Sequence, residues 1–271
     1  MFDNICKFLV ESFSTDFATW LLGEPTTLTT LSPSELSLEP IRADALILLE
    51  STDVVLHLEF QTQPDADIPF RMIDYCLRTY RRFPSKQMRQ VVIYLRKTRS
   101  AQVHQTTFEL PRTRHEFDVV RLWEQPVEPF FQLPGLMPFA VLSCTDNPAE
   151  ILQRVAVESQ TIPDLQAQRN VVASSAVLAG LLLEKEMIQR ILKMDLLKES
   201  VIYQDILQEG IEVGKAEGKA EGKAEGKAEG KAEAIKQVAQ NLWNQGMGFE
   251  QIAQITELSV EEVQTLLQAN R

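Results

Sequence analysis

Between residues 41 and 61 the apolar positions change from continuous to alternating. Ile41–Leu49 contains the unbroken run Leu46-Ile47-Leu48-Leu49, which predicts a strand buried on both faces. Val54–Gln61 alternates: Leu56, Leu58 and Phe60 fall on one face, and His57, Glu59 and Gln61 on the other. The apolar face is expected to pack on a helix, and the polar face to open to a cleft. Pro69 starts a helix expected to run from Phe70 to Phe83, and Pro84 ends it. Met88–Leu95 (MRQVVIYL) reads as a buried strand, and Phe117–Trp123 as another. The stretch between them and Gln125–Pro138 read as loop, the latter punctuated by prolines. Upstream, Phe2, Ile5, Phe8, Leu9 and Phe13 follow a near-helical period through residues 1–23, and Gly23 and Pro25 stop it. From Pro148 to about Gln208 the pattern is helical. The order helix, strand, strand, helix, strand, strand, then helices predicts a mixed α/β core with a C-terminal helical extension.

Residues 214–233 are consecutive copies of Gly-Lys-Ala-Glu. A four-residue repeat advances about 40° beyond each helical turn, so no residue type keeps one face. Like charges recur at i,i+4, and each Gly costs roughly 1 kcal/mol relative to Ala in a helix. This reads as a solvated spacer, partly helical or flexible. Beyond it, Ala234–Asn244 is amphipathic and Gly246 and Gly248 break the pattern. Phe249–Thr256 and Val260–Gln268 then form a pair of short helices, with Ser259 and Glu262 in capping-box spacing. The pair resembles a helix-turn-helix, but its second helix carries Glu261 and Glu262 and no Lys or Arg. Phosphate repulsion favours a structural or protein-contact tail with a small core of Ile252, Ile255, Leu258, Val263 and Leu266. The chain thus divides into a core at 1–147, a helical extension at 148–213, the spacer at 214–233 and a tail at 234–271.

Composition narrows the class. Of 271 residues, 27 are Lys or Arg and 38 Asp or Glu, a net charge of −11 that argues against nucleic-acid binding by overall charge. Three widely spaced cysteines, Cys6, Cys76 and Cys144, cannot form a disulfide framework and favour a reducing cytosol. The N-terminus lacks the pattern of a signal peptide, and the longest apolar run, Val171–Leu183, is shorter than the roughly 20 residues that span a bilayer. A soluble cytoplasmic protein is expected, without a membrane partner. The extension or the tail is the surface available for self-association.

If residues 50–53 form a four-residue hairpin loop, Leu49 pairs with Val54, Asp44 lies opposite Glu59 and Arg42 opposite Gln61. Directly opposed side chains have Cβ atoms about 4.5–5.5 Å apart. Carboxylates so close repel unless a cation sits between them, and Mg²⁺ suits such ligands. The bland alternative is that Glu59 merely faces solvent. His57, His104 and His115 show no metal-ligand spacing, and an ordinary hydrogen bond is the simpler expectation for His57.

The pattern Asp44, then Glu59-Phe60-Gln61, is followed by QTQPDADIPFRMIDYCLRTYRRF and the strand MRQVVIYL. It resembles the Rpn family of recombination-promoting nucleases and putative transposases, within the PD-(D/E)xK nuclease superfamily. The likeness covers roughly residues 1–145 and includes the R-x-x-x-Y helix from Arg71 to Tyr75. It implies an αβββαβ restriction-endonuclease-like core with a mixed central sheet. It further implies Mg²⁺- or Mn²⁺-dependent hydrolysis of DNA phosphodiesters by an endonuclease. By carry-over, Asp44 and Glu59 ligate the metal with the Phe60 carbonyl, and Gln61 positions water or phosphate. Gln61 stands where many superfamily members carry Lys, so the metal would supply most of the charge stabilisation. A helix-1 acid completes the site in some members, and Glu11 is the candidate here.

Local charge then alters the acidic picture. Residues 71–99 hold nine basic residues and one acid, Asp74, a net +8 that leaves −19 for the rest. Arg71, Arg78 and Arg82 recur on one side of the helix and are candidate DNA contacts, with Tyr75, Tyr80 and Phe83 interleaved. The alternative is a solvated helix face paired with acids elsewhere. Two functional alternatives also stand beside the nuclease: a degenerate nuclease fold acting as a DNA-binding or assembly module, and a regulator working through the C-terminal helices.

Overall fold

A computed structural model describes residues 2–30, 47–192, 230 and 233–268. The chain forms two compact units, 1–206 and 207–271. Asp44, the first part of the expected 41–49 strand, residues 193–208 of the helical region, and the repeat apart from Gly230 and Glu233 lie outside the described residues.

The expected N-terminal helix is two helices, α1 (Phe2–Ser12) and α2 (Ser14–Leu22). The chain turns at Phe13, which brings Asp16 Oδ2 to 2.7 Å from the Gly135 amide, whose N–H it accepts. Gly135 is needed there, because a Cβ at 135 would lie 2.2 Å from that of Phe13. The short strand β1 (Thr29–Thr30) has no counterpart in the hydrophobic pattern. It pairs antiparallel with β2 (Ile47–Glu50), which pairs antiparallel with β3 (Val54–Gln61). The helix α3 (Ile68–Arg82) then crosses over to β4 (Gln87–Tyr94), parallel to β3. The stretch expected to be loop contains the hairpin β5 (Thr107–Leu110) and β6 (Thr113–Glu116). The last strand, β7 (Asp118–Arg121), is shorter than expected, because Leu122–Glu124 turn into a 3₁₀ helix. The result is an α/β unit with a mixed five-stranded sheet in the order β1-β2-β3-β4-β7.

One face of the sheet carries the main core. Ile47, Leu49, Leu56, Leu58, Phe60, Val91 and Ile93 pack with α1, α2 and the buried 3₁₀ segment Pro134–Leu142. Phe60 stacks on Phe139 at 5.7 Å and meets Phe17 edge-on at 6.5 Å. The helices α5 (Pro148–Glu158), α6 (Leu165–Ala179) and α7 (Lys185–Ile191) supply the extension expected from the pattern after Pro148, whereas the short α4 (Glu128–Phe131) forms within the proline-punctuated stretch expected to be loop.

The other face is covered by α3. A parallel connection must pass over one face of the sheet, and this helix turns inward a stripe of Ile68, Met72, Tyr75 and Thr79. The expected cleft over His57 and Glu59 is therefore roofed, and both residues are buried, at 0% and 1% exposure. The hairpin register also differs from the expectation. Leu49 pairs with Leu56 and Ile47 with Leu58, two residues away from the pairing of Leu49 with Val54. The slip follows from a tighter turn, in which the Ser51 N–H donates to the Val54 carbonyl at 2.9 Å. A shift of two keeps every side chain on its face. The register that set Asp44 opposite Glu59 does not hold where the strands are described.

In the second unit, helices at 233–244, Phe249–Thr256 and Val260–Gln268 close around Ala239, Ile252, Ala253 and Val263. Leu258 and Leu266 join this core as expected, whereas Ile255 is exposed. The capping box forms: Glu262 N–H donates to Ser259 Oγ at 3.2 Å, and Ser259 N–H to Glu262 Oε2 at 2.8 Å. Among the described residues, no helix is long and apolar enough to cross a membrane.

Candidate active site beneath helix α3

Alternation along β3 points His57, Glu59 and Gln61 toward α3, at the carboxyl end of the strand. Glu59 is the centre of a polar cluster there. Gln61 Nε2 donates to Glu59 Oε1 at 3.1 Å, and Arg71 Nη1 lies 3.4 Å from the same oxygen. Arg71 also binds Asp65 Oδ2 through Nη2 at 2.8 Å, so its guanidinium bridges two carboxylates. The other Glu59 oxygen, Oε2, has no hydrogen-bond partner and faces the equally unpartnered Nε2 of His57 at 3.7 Å. A buried, unpartnered carboxylate oxygen is costly unless something else satisfies it.

Gln90, from β4, organises what lies behind. Its Nε2 donates to the Met72 carbonyl at 2.8 Å, which fixes the orientation of the amide. The second N–H of that group then points to His57 Nδ1 at 2.9 Å, so Nδ1 accepts and the His57 proton sits on Nε2, toward Glu59. The remaining Gln90 oxygen accepts from His115 Nε2 at 2.6 Å. One amide thereby sets the tautomers of two histidines, and the histidines expected to be separate meet on it. Burial lowers the His115 pKa. Tyr75 stands edge-on to His57 at 5.2 Å, and burial, followed by the charge of Glu59, raises its pKa. The Tyr94 pKa is raised by burial and then by Asp65.

The sequence-predicted residues divide clearly. Glu59, Gln61 and Arg71 come together, and Phe60 sits between the first two with its ring on the opposite face. Asp44 lies outside the described residues. Glu11 is exposed on α1. Arg78 is bound to Asp74 at 2.9 Å, and Arg82 is exposed near the Phe83 ring. Sequence reasoning does not single out Asp65, Gln90 or His115. A polar residue inside MRQVVIYL is a usable signal for Gln90, because a buried amide in an apolar strand needs partners. His115 gives no such signal.

A hard cation needs carboxylate oxygens. Among the described residues, no group of three His, Cys, Asp or Glu side chains could hold a metal ion. They offer one unclaimed oxygen in this cluster, Glu59 Oε2, while Oε1 is held by Gln61 and Arg71. The donor chemistry fits a divalent cation at that one atom, and further ligands would have to come from outside the described residues.

No protein-family model matches this chain, and comparisons with curated proteins and with solved structures give no match.

Proposed function

We propose that the chain is a metal-dependent DNA endonuclease of the recombination-promoting nuclease type, built on a PD-(D/E)xK core. The observation that carries this reading is the buried Glu59 carboxylate with its unpartnered Oε2 at the carboxyl end of β3. The element order supports it: α1 and α2, three antiparallel strands, α3, then β4 parallel to β3. Glu59 and Asp44, with the Phe60 carbonyl, would hold Mg²⁺ or Mn²⁺. When bound, such an ion supplies an activated water and neutralises charge that develops on the phosphate.

The chain's own residues do the positioning. Gln61 fixes the Glu59 carboxylate through its amide N–H, and its carbonyl oxygen remains available to orient a water. Arg71 bridges Glu59 and Asp65 in the resting site and offsets one of their two negative charges. The three unpaired cysteines suit a reducing cytoplasm, where DNA is the expected partner.

Plasmid nicking with Mg²⁺ tests the reading. Wild type should nick, while Glu59→Ala and Asp44→Ala should each lose on the order of a hundredfold in rate, the scale of removing one charge-stabilising group. Equal activity in all three proteins would sink the site. A second reading, a degenerate nuclease fold acting as a DNA-binding or assembly module, is favoured by one observation: Arg71 stands against Glu59 as a built-in cation, 3.4 Å from Oε1. Calorimetric titration with Mg²⁺ and Mn²⁺ separates the two, since the degenerate module binds neither.

A further inference from the structure

The +8 segment is not uniformly available to a polyanion. Of its nine basic residues, Arg71 is paired with Glu59 and Asp65, Arg78 with Asp74, Lys86 with Glu50 and Arg89 with Asp118. The five without an ion pair among the described residues form two groups at opposite ends of the sheet. Arg81 and Arg82 close α3, which delivers the chain to Gln87 at the amino end of β4. Arg96, Lys97 and Arg99 follow directly after Tyr94 at the carboxyl end of β4. Tyr94 pairs with Gln61, so these three residues leave the sheet at the end where Glu59 and Gln61 lie. All three are exposed. Strands rise about 3.3 Å per residue, so an eight-residue β4 separates the two groups by roughly 20 Å or more.

The geometry points to Arg96, Lys97 and Arg99 as the surface that takes the phosphates of a DNA strand, rather than the arginines of α3. The identity of the partner rests on the nuclease reading. The placement rests on which cations are free of ion pairs and at which end of the sheet they stand. In open α/β sheets ligands gather outside the carboxyl ends of the strands. A phosphate bound at that end reaches Gln61, whereas one bound at Arg81 and Arg82 lies the length of a strand away. A cavity of about 280 Å³ beside the turn sets Lys97 and the Trp123 indole among Leu95, Leu142 and Leu182, with Asp146 as its one acid. In a chain of net charge −11, a turn with three such cations departs from the average. Arg71 and Arg78, by contrast, could reach phosphate only after leaving their carboxylates.

The test is binding of a short fluorescent DNA duplex to the full chain in EDTA, where cleavage does not interfere. Affinity is followed from 50 to 200 mM salt, as roughly −0.9 in log–log slope is expected per phosphate contacted. Arg96→Ala/Lys97→Ala/Arg99→Ala should lower the magnitude of the slope by roughly 2 to 3. Arg81→Ala/Arg82→Ala should leave it at the wild-type value. Arg96→Lys/Arg99→Lys should keep the wild-type slope, because a point charge suffices for a phosphate. Circular dichroism and melting temperature establish that each variant is folded.

The surface is overturned if the triple variant keeps the wild-type slope, if the α3 pair carries the loss, or if wild type does not bind the duplex at 50 mM salt. Nicking with Mg²⁺ is scored separately. A chain that binds through these residues but never nicks keeps the surface and loses the nuclease. A chain that nicks while its triple variant binds like wild type keeps the nuclease and loses the surface.

Discussion

The two faces of β3 are equally dry and differently built. Leu56, Leu58 and Phe60 enter a core of more than a dozen apolar side chains, where contacts are numerous and non-directional. His57 and Glu59, one residue out of phase, are just as buried but hang on a few directional bonds to Gln61, Arg71 and Gln90. On the apolar face, loss of one side chain opens a void whose cost grows with its size. On the polar face, loss of one hub leaves a buried polar group without a partner, and His57 Nδ1 has only Gln90. The first face holds the strand in place, and the second presents a carboxylate with an unclaimed oxygen.

The largest expected effect lies on the apolar face. Phe60→Ala removes a ring stacked on Phe139 and edge-on to Phe17. It should lower the unfolding free energy measured in urea by about 3–5 kcal/mol, and a loss below about 1 kcal/mol would mean that the core repacks freely. Next comes Gln90→Leu, which strands the buried His57 Nδ1 and removes the partner of the half-buried His115 Nε2, while the Met72 carbonyl keeps its place in the α3 ladder. One buried group left without a partner costs about 1–3 kcal/mol, so the total should be roughly 1–3 kcal/mol. A near-neutral result would show that water enters beneath α3, and that the polar face is not dry.

The smallest effect sharpens the same contrast. Burial lowers the folded-state pKa of His115 below its ordinary value. A base shifted downward contributes stability that is fully present above the unfolded value of about 6.5 and is lost as pH falls through the folded value. His115→Gln keeps a donor for Gln90 and should flatten the acid side of the stability profile. Melting curves at several pH values check this; parallel profiles for the two proteins would remove His115 from the acid response.

Much of the polar face is legible in the amino-acid pattern. Alternation through His57, Glu59 and Gln61 tells which side chains share it, and Pro69 and Pro84 bracket the helix that becomes its roof. Neither the roof's placement nor the hairpin register can be read this way. Register depends on the turn, and a hairpin two residues tighter preserves the face of every residue, so hydrophobic pattern is blind to the difference. The break at Phe13 is hidden for a related reason. A helical period survives a kink, and the contacts that stabilise it come from Gly135, far along the chain.

Local rules therefore suffice for what is local in origin: strand faces, the proline-marked limits of α3, and the Ser259–Glu262 cap, whose partners are three residues apart. Tertiary structure decides which charges are spoken for. Gln90 binds a histidine 33 residues before it and another 25 after it, and Arg71 spans Glu59 and Asp65. Such pairings are set by how the sheet stacks its strands and how α3 crosses them. A count of nine basic residues could predict attraction to phosphate; only the fold reveals that Arg96, Lys97 and Arg99 stand without an ion pair, among the described residues, at the end of the sheet where Glu59 lies.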